Sequence, residues 1–229
     1  LRGVVNAKIT VWSDEPDRHS GVDGGVHREP TTDLIKIISR LQDDDGNVLI
    51  PEFYEPLKDL SVEEREHFEE IIQRANIDKE ITVDQLVAKW TKPSLSITTM
   101  KVSGPGNVTV IPQRASVCIS MRLVPEQNVK LVKKAFEDYV VNSFKRLNSK
   151  NHLKVAILNE AEPWLGNPSN EAYRVIKEEI QSAWNIDPLL VREGGSIPCV
   201  RFLERAFNAP AVQIPCGQST DNAHLDNEQ

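Results

Sequence analysis

Residues 114–123, RASVCISMRL, constrain this chain more than any other segment, because Ala115, Val117, Ile119, Met121 and Leu123 alternate strictly with Arg114, Ser116, Cys118, Ser120 and Arg122. A period of two sends successive side chains to opposite faces of a strand, so the segment requires a sheet with one apolar and one polar face. Residues 4–12 repeat the pattern, with Val5, Ala7, Ile9 and Val11 set against Asn6, Lys8 and Thr10. An apolar sheet face has to be covered, and the chain carries helices to do it. Leu34, Ile37, Ile38 and Leu41 fall at helical spacing in a segment opened by Pro30 and Thr31-Thr32 and expected to run to about Gln42. After Pro125, the residues Val129, Val132, Phe136, Tyr139, Val140 and Phe144 form the apolar stripe of a longer helix.

Strand signals at 95–102, 108–111 and 152–158 complete the order β-α-(insert)-β-β-α-β. That order predicts an α+β, ferredoxin-like domain, an antiparallel sheet with two helices on one face. The insert, residues 50–92, shows little apolar periodicity. Within it Ser61-Val-Glu-Glu64 reads as a capping box opening a charged helix to about Ala75, with His67 on its surface. Asp43 to Asn47 reads as a solvated turn, because its spacing lacks the closing acid of a calcium loop. Glu162-Pro163-Trp164 and Gly166-Asn167-Pro168 break the pattern, which sets a boundary near residue 160. Beyond it, a helix (169–184), a strand (189–192), a glycine turn, a helix (Pro198–Phe207) and a strand (211–215) alternate as in a parallel α/β sheet. Two strands are too few for such a domain, so residues 161–229 read as an incomplete one, and both chain ends read as cuts through something larger.

Composition removes several classes of partner. With 39% hydrophobic and 27% charged residues the chain is neither disordered nor collagen-like. Its 27 Lys+Arg against 34 Asp+Glu, a net charge of −7 with no basic stripe, argue against nucleic acid or an anionic membrane surface. No apolar run approaches the roughly 18 residues of a membrane span. Three sparse cysteines without a CxxC spacing fit a reducing compartment.

Four places could carry chemistry: His19-Ser20-Gly21, Thr109 with Arg122 on the central hairpin, Glu193-Gly194-Gly195-Ser196, and Asp221 to His224. Each has an ordinary reading. Gly194-Gly195 is either a tight strand-to-helix turn or a set of N–H donors for a carboxylate. His19 and His224 are either surface residues or functional imidazoles. Arg122 is either a solvated strand residue or a fork for a carboxylate. A Ser196, His224 and Asp221 triad matches on residue type but lacks the G-x-S-x-G elbow of a serine hydrolase.

Taken together and in order, LRG, DRHSG with GGVHREP, TVIPQR running into SMRLVP, REGGSIP and DNAHLDNE closely resemble the zinc-dependent exopeptidases related to carnosinase, aminoacylase and glutamate carboxypeptidase. The resemblance covers nearly the whole chain, residues 50–92 least. It implies an α/β catalytic domain holding two zinc ions, manganese being an alternative, interrupted by a ferredoxin-like lid that makes a homodimer. Residues 1–160 would be that lid and 161–229 the C-terminal part of the catalytic domain. Position by position, the resemblance makes His224 a metal ligand. It has His19 reach into the partner subunit to donate to an oxyanion, joined by Thr109. It has Arg122 grip the substrate carboxylate beside Gly195 and Ser196, and sets Glu193 at the pocket edge.

The chain also departs from the family. The His-x-Asp motif and Glu-Glu pair that supply the other ligands and the general base are not in these residues, so the chain alone is expected to be inert. Asn159 stands where carnosinase-like dipeptidases carry a histidine. Within the family the chain is most similar to the branch of fungal metallopeptidase-like subunits that degrade glutathione with a glutamine-amidotransferase partner. That branch implies a cytoplasmic hydrolase of small γ-glutamyl or cysteinyl peptides. The rival reading from another class is a non-catalytic assembly module using the same lid.

Overall fold

The structure, a computed structural model, describes residues 1–74, 81–217, 221 and 224. The chain divides into two compact units, Leu1–Trp164 with Val191–Pro198, and Leu165–Leu190 with Cys199–Gln229.

In the first unit, β1 (Gly3–Trp12) leads through β2 (Arg18–His19) and the single turn α1 (Ser20–Asp23) to α2 (Pro30–Ile38). Next come α3 (Val62–Arg74), α4 (Val83–Thr91), β3 (Ser94–Val102), β4 (Val110–Ile111), β5 (Arg114–Leu123), α5 (Val129–Lys145) and β6 (His152–Ala161). The main sheet has the order β3-β5-β1-β6. All its pairings are antiparallel, as the ferredoxin-like reading requires. Its register follows from the alternation: a slip of one residue would turn an entire apolar set to the wrong face. Val5, Ala7, Ile9 and Val11 are fully buried and lie opposite Met121, Ile119, Val117 and Ala115 in the β1–β5 ladder. Leu34 and Ile37 of α2, and Val132, Phe136 and Val140 of α5, close over them in one core.

Several elements differ from their sequence expectation. Helix α2 ends at Ile38 rather than near Gln42, because Arg40 and Leu41 donate to Ile37 and Ile38 in tighter turns and Gln42 then bridges to Val48. Leu41 is nonetheless buried in the core. The Gly-rich loop after β1 holds β2, which pairs with β4 in a small sheet of its own. Ser61 caps α3 by accepting from the Glu64 N–H at 3.1 Å, but the Glu64 carboxylate pairs with Arg192 at 2.5 Å instead of returning to the cap. The expected end of that helix at Ala75 lies outside the described residues. Helix α4 is opened by a full capping box, Thr82 with Gln85. With α3 it makes a satellite core of Phe68, Ile71, Leu86 and Trp90, the Phe68 and Trp90 rings meeting edge-on at 5.5 Å.

The second unit contains α6 (Glu171–Trp184) and most of α7 (Pro198–Phe207). Asn170 caps α6 through the Tyr173 N–H, and Asn185 ends it in the left-handed conformation. Segments 189–192 and 211–215, expected as strands, are not strands in the structure. A strand exists through the ladder it pairs with, and the described residues supply none for these two.

Candidate functional site

Strand β5 ends where β1 begins, Leu123 lying opposite Gly3 and Arg122 opposite Val4. That end of the sheet gathers the loop before α7. Arg2 donates its backbone N–H to the Gly195 carbonyl at 3.0 Å and its side-chain Nε–H to the Gly194 carbonyl at 2.9 Å. Ser196 donates its hydroxyl to the Arg2 carbonyl at 2.6 Å and accepts from Arg122 Nη1 at 2.9 Å. The Glu193 carboxylate turns back to accept the Gly195 N–H at 3.0 Å. The structure therefore brings together four of the sequence-predicted residues, Arg122, Glu193, Gly195 and Ser196. Burial, then the positive charge of Arg122, hold Arg2 below the ordinary arginine range, while Glu193 pulls it back up. Among the described residues both guanidinium groups hydrogen-bond to neutral oxygens, those of Gly194, Lys92, Ser94 and Ser196. Two cations with that surrounding suit an anionic guest.

This arrangement argues against Ser196 as a nucleophile. A catalytic serine must give its proton to a base, whereas the Ser196 hydroxyl donates its hydrogen bond to an amide carbonyl, which is not one. Arg2 is the participant that sequence reasoning missed. The LRG motif was its signal, but its role depends on contacts with residues 192 to 193 positions away in the chain.

The second cluster is at the other end of β1. His19 is exposed and caps α1, its Nδ1 accepting the Gly21 N–H at 3.1 Å. A neutral imidazole whose Nδ1 accepts carries its proton on Nε2, so the outer nitrogen is a donor. The Ser20 N–H donates to the Thr109 carbonyl at 2.8 Å, and His19 pairs with Val110 across β2 and β4. Thr109 precedes β4, and β4 joins the small sheet rather than the central one. Its hydroxyl donates to Asn107 Oδ1 at 2.9 Å. His19 and Thr109 are thus presented by one small lobe.

The two clusters do not meet within one chain. From Arg114, opposite Trp12, to Arg122, opposite Val4, the ladder runs eight residue steps. At about 3.3 Å per residue that is roughly 25 Å of strand, with the loop to His19 beyond it.

His224 is exposed, in a turn, with φ +66°. Among the described residues no three His, Cys, Asp or Glu side chains converge as a metal site. One imidazole does not enclose an ion, so these residues do not make a metal centre on their own. Asn159 is exposed on β6 and accepts from Asn6 Nδ2 at 2.7 Å, an amide pair on the open sheet face that also carries Arg122.

Residues 1–147 match the M20-type peptidase dimerisation domain. The probable di- and tripeptidase DUG2 of Saccharomyces cerevisiae is 60% identical over 228 residues, covering 100% of this chain and 26% of that protein. The Cys-Gly metallodipeptidase DUG1 of Candida albicans is 32% identical over 241 residues, covering 100% of this chain and 50% of its own length. The crystal structure of human carnosine dipeptidase 1 superposes with a TM-score of 0.84 at 30% identity, over 99% of this chain and 50% of that one. The chain therefore spans between about a quarter and a half of the relatives it matches.

Proposed function

This chain belongs to the M20 peptidase dimerisation-domain family, and from that membership we propose that residues 1–160 are the lid of a dimeric metal-dependent hydrolase of di- and tripeptides, with residues 161–229 forming part of its catalytic domain. The observation that carries the reading is the separation of the two clusters. Arg122 and Ser196 stand about 25 Å of strand from the lobe that bears His19 and Thr109, much farther than a dipeptide reaches. A second copy arranged by two-fold symmetry brings the His19 of one subunit to the Arg122 of the other.

In the assembled site Arg122 holds the substrate carboxylate, with Ser196 orienting its guanidinium and the Gly195 N–H and Glu193 at the same end. When a nucleophile adds to the scissile carbonyl, the developing oxyanion meets the His19 Nε2–H of the partner subunit, with Thr109 beside it. His224 supplies one ligand to a two-ion zinc or manganese centre whose other ligands come from the rest of the full-length protein. The names of the relatives, di- and tripeptidase and Cys-Gly metallodipeptidase, support short peptides as substrates. Small cysteinyl or γ-glutamyl peptides, including those of glutathione breakdown, are the class we favour, with an amidotransferase-like subunit as partner. Three cysteines in 229 residues support a cytoplasmic setting. No helix among the described residues is long and apolar enough to cross a membrane.

The test is complementation in the full-length protein. His19→Ala and Arg122→Ala subunits, each nearly inactive alone, are mixed, dissociated and reassembled. The expected result is about a quarter of wild-type turnover, since half of randomly paired dimers are mixed and each has one intact site. Mixtures no more active than the separate variants would overturn the shared site.

A further inference from the structure

Asp17 lies two residues before His19 and is exposed. Its Oδ1 accepts the Gln113 backbone N–H at 2.6 Å and the Ser103 hydroxyl at 2.7 Å. Ser103 Oγ in turn accepts the Arg114 N–H at 3.0 Å. One carboxylate oxygen thus joins the loop leaving β1, the residue following β3 and the residue entering β5. The same corner is closed by the Ser13 N–H donating to the Gln113 carbonyl at 3.0 Å and the Ser103 N–H donating to the Arg114 carbonyl at 2.8 Å. Gly104 has φ +85°, and a Cβ there would lie 2.8 Å from Asp17 Oδ2. The positive φ favours glycine there, and a side chain at this position would also displace the Asp17 carboxylate.

Beyond this corner the small lobe has few ties to the main sheet. Strands β2 and β4 contribute two residue pairs, Arg18 with Ile111 and His19 with Val110. A ladder that short does not hold its own position. The far end of the loop is tied separately, the Arg28 carbonyl accepting from Asn151 Nδ2 at 3.2 Å and its side chain pairing with buried Asp33. Asp17 is the tie adjacent to His19.

We propose that Asp17 is the positioning residue of the His19 and Thr109 lobe: by joining three strand ends it sets the direction in which His19 Nε2 and Thr109 face the partner subunit. The inference rests on the proposed role of His19. Its mechanism is geometric, since Asp17 needs no contact with substrate or metal, and a misplacement of about 1 Å at an oxyanion donor can reduce turnover up to 10²-fold. The hydrogen bonds from Gln113 and Ser103 also hold the Asp17 carboxyl below the usual range, so it is an anion at neutral pH and a strong acceptor.

The experiment compares Asp17→Ala, Asp17→Asn and His19→Ala in the full-length, metal-loaded dimer. Asp17→Ala is expected to lower kcat about tenfold or more while KM, metal content and dimer mass stay at wild-type values. Amide exchange should accelerate in segments 13–24 and 103–114 but not in β1 or in β5 beyond Arg114. Asparagine keeps an oxygen acceptor for both donors, so Asp17→Asn is expected to recover most of kcat. Wild-type kcat in Asp17→Ala, or equal damage from alanine and asparagine, would overturn the proposal. His19→Ala separates this failure from that of the parent reading. Unchanged turnover in His19→Ala with faster exchange in Asp17→Ala defeats the role of His19 and leaves the anchor standing, whereas a damaged His19→Ala beside an unaffected Asp17→Ala defeats the anchor.

Discussion

Arg122 donates to Ser196 Oγ at 2.9 Å, and the Ser196 hydroxyl in turn donates to the Arg2 carbonyl at 2.6 Å. The hydroxyl therefore serves the guanidinium rather than attacking a substrate. In the full-length protein Ser196→Ala is expected to raise KM for peptides with a free carboxylate by roughly fivefold, the loss of one hydrogen bond of about 1 kcal/mol, with kcat nearly unchanged. Steady-state kinetics decide this, and abolished kcat with normal KM would restore the serine-hydrolase reading.

Replacing Arg122 itself should cost more, and lysine should not rescue it, because an ammonium lacks the planar fork that meets a carboxylate with two bonds. We expect Arg122→Lys to stay well below wild type in kcat/KM for free-acid peptides and to lose the preference for them over C-terminal amides. Equal discrimination by both proteins would remove the carboxylate from the Arg122 site.

Strand β3 is an edge of the main sheet, and its Ile97, Met100 and Val102 are 42, 53 and 52% exposed. An edge of that character invites pairing with another chain. Met100→Lys is expected to convert dimers to monomers by light scattering at micromolar concentration, with an unchanged circular dichroism spectrum. Intact dimers would show that the subunits meet elsewhere.

Phe136 is fully buried between α5 and the sheet. Phe136→Ala is expected to lower the stability of the lid by about 3–5 kcal/mol, and Ile9→Val by about 0.5–1.5 kcal/mol, the usual ranges for a vacated ring and a lost methylene. Urea denaturation provides the measurement.

Asp17 has a pH signature. Its carboxyl is held below the ordinary range by the Gln113 and Ser103 hydrogen bonds, so its contribution is complete above the unfolded-state value of about 3.9 and is lost as pH falls through the folded one. Protection of the Gln113 and Arg114 amides, corrected for intrinsic exchange, should be level from pH 7 to 5 and decline only below about pH 4. In Asp17→Asn the decline should vanish. A step near pH 6 would point to a histidine instead.

How much was legible beforehand depended on distance along the chain. The faces of β1 and β5, the apolar stripes of α2 and α5, and the turn at Asp43, whose Oδ1 accepts the Asn47 N–H at 2.7 Å, are local patterns and were readable. Helix α4 was readable in principle from Thr82 and Gln85, but its two buried residues, Leu86 and Trp90, gave too short a stripe. Strand β2 was not, since two residues become a strand only through Arg18 and His19 meeting Ile111 and Val110.

The sequence by itself determined which residues turn inward, which motifs accompany one another and which chemistry those motifs resemble, because a side-chain period and a motif are written within a few residues. Only the tertiary structure decided that Arg2 secures the loop at Gly194, that Asp17 joins three strand ends, and that Arg122 stands at one end of the β1–β5 ladder while the lobe bearing His19 lies beyond the other. The physical reason is pairing register: hydrogen bonds between residues about 90 to 190 positions apart exist only once the whole sheet has closed, and no local pattern encodes them.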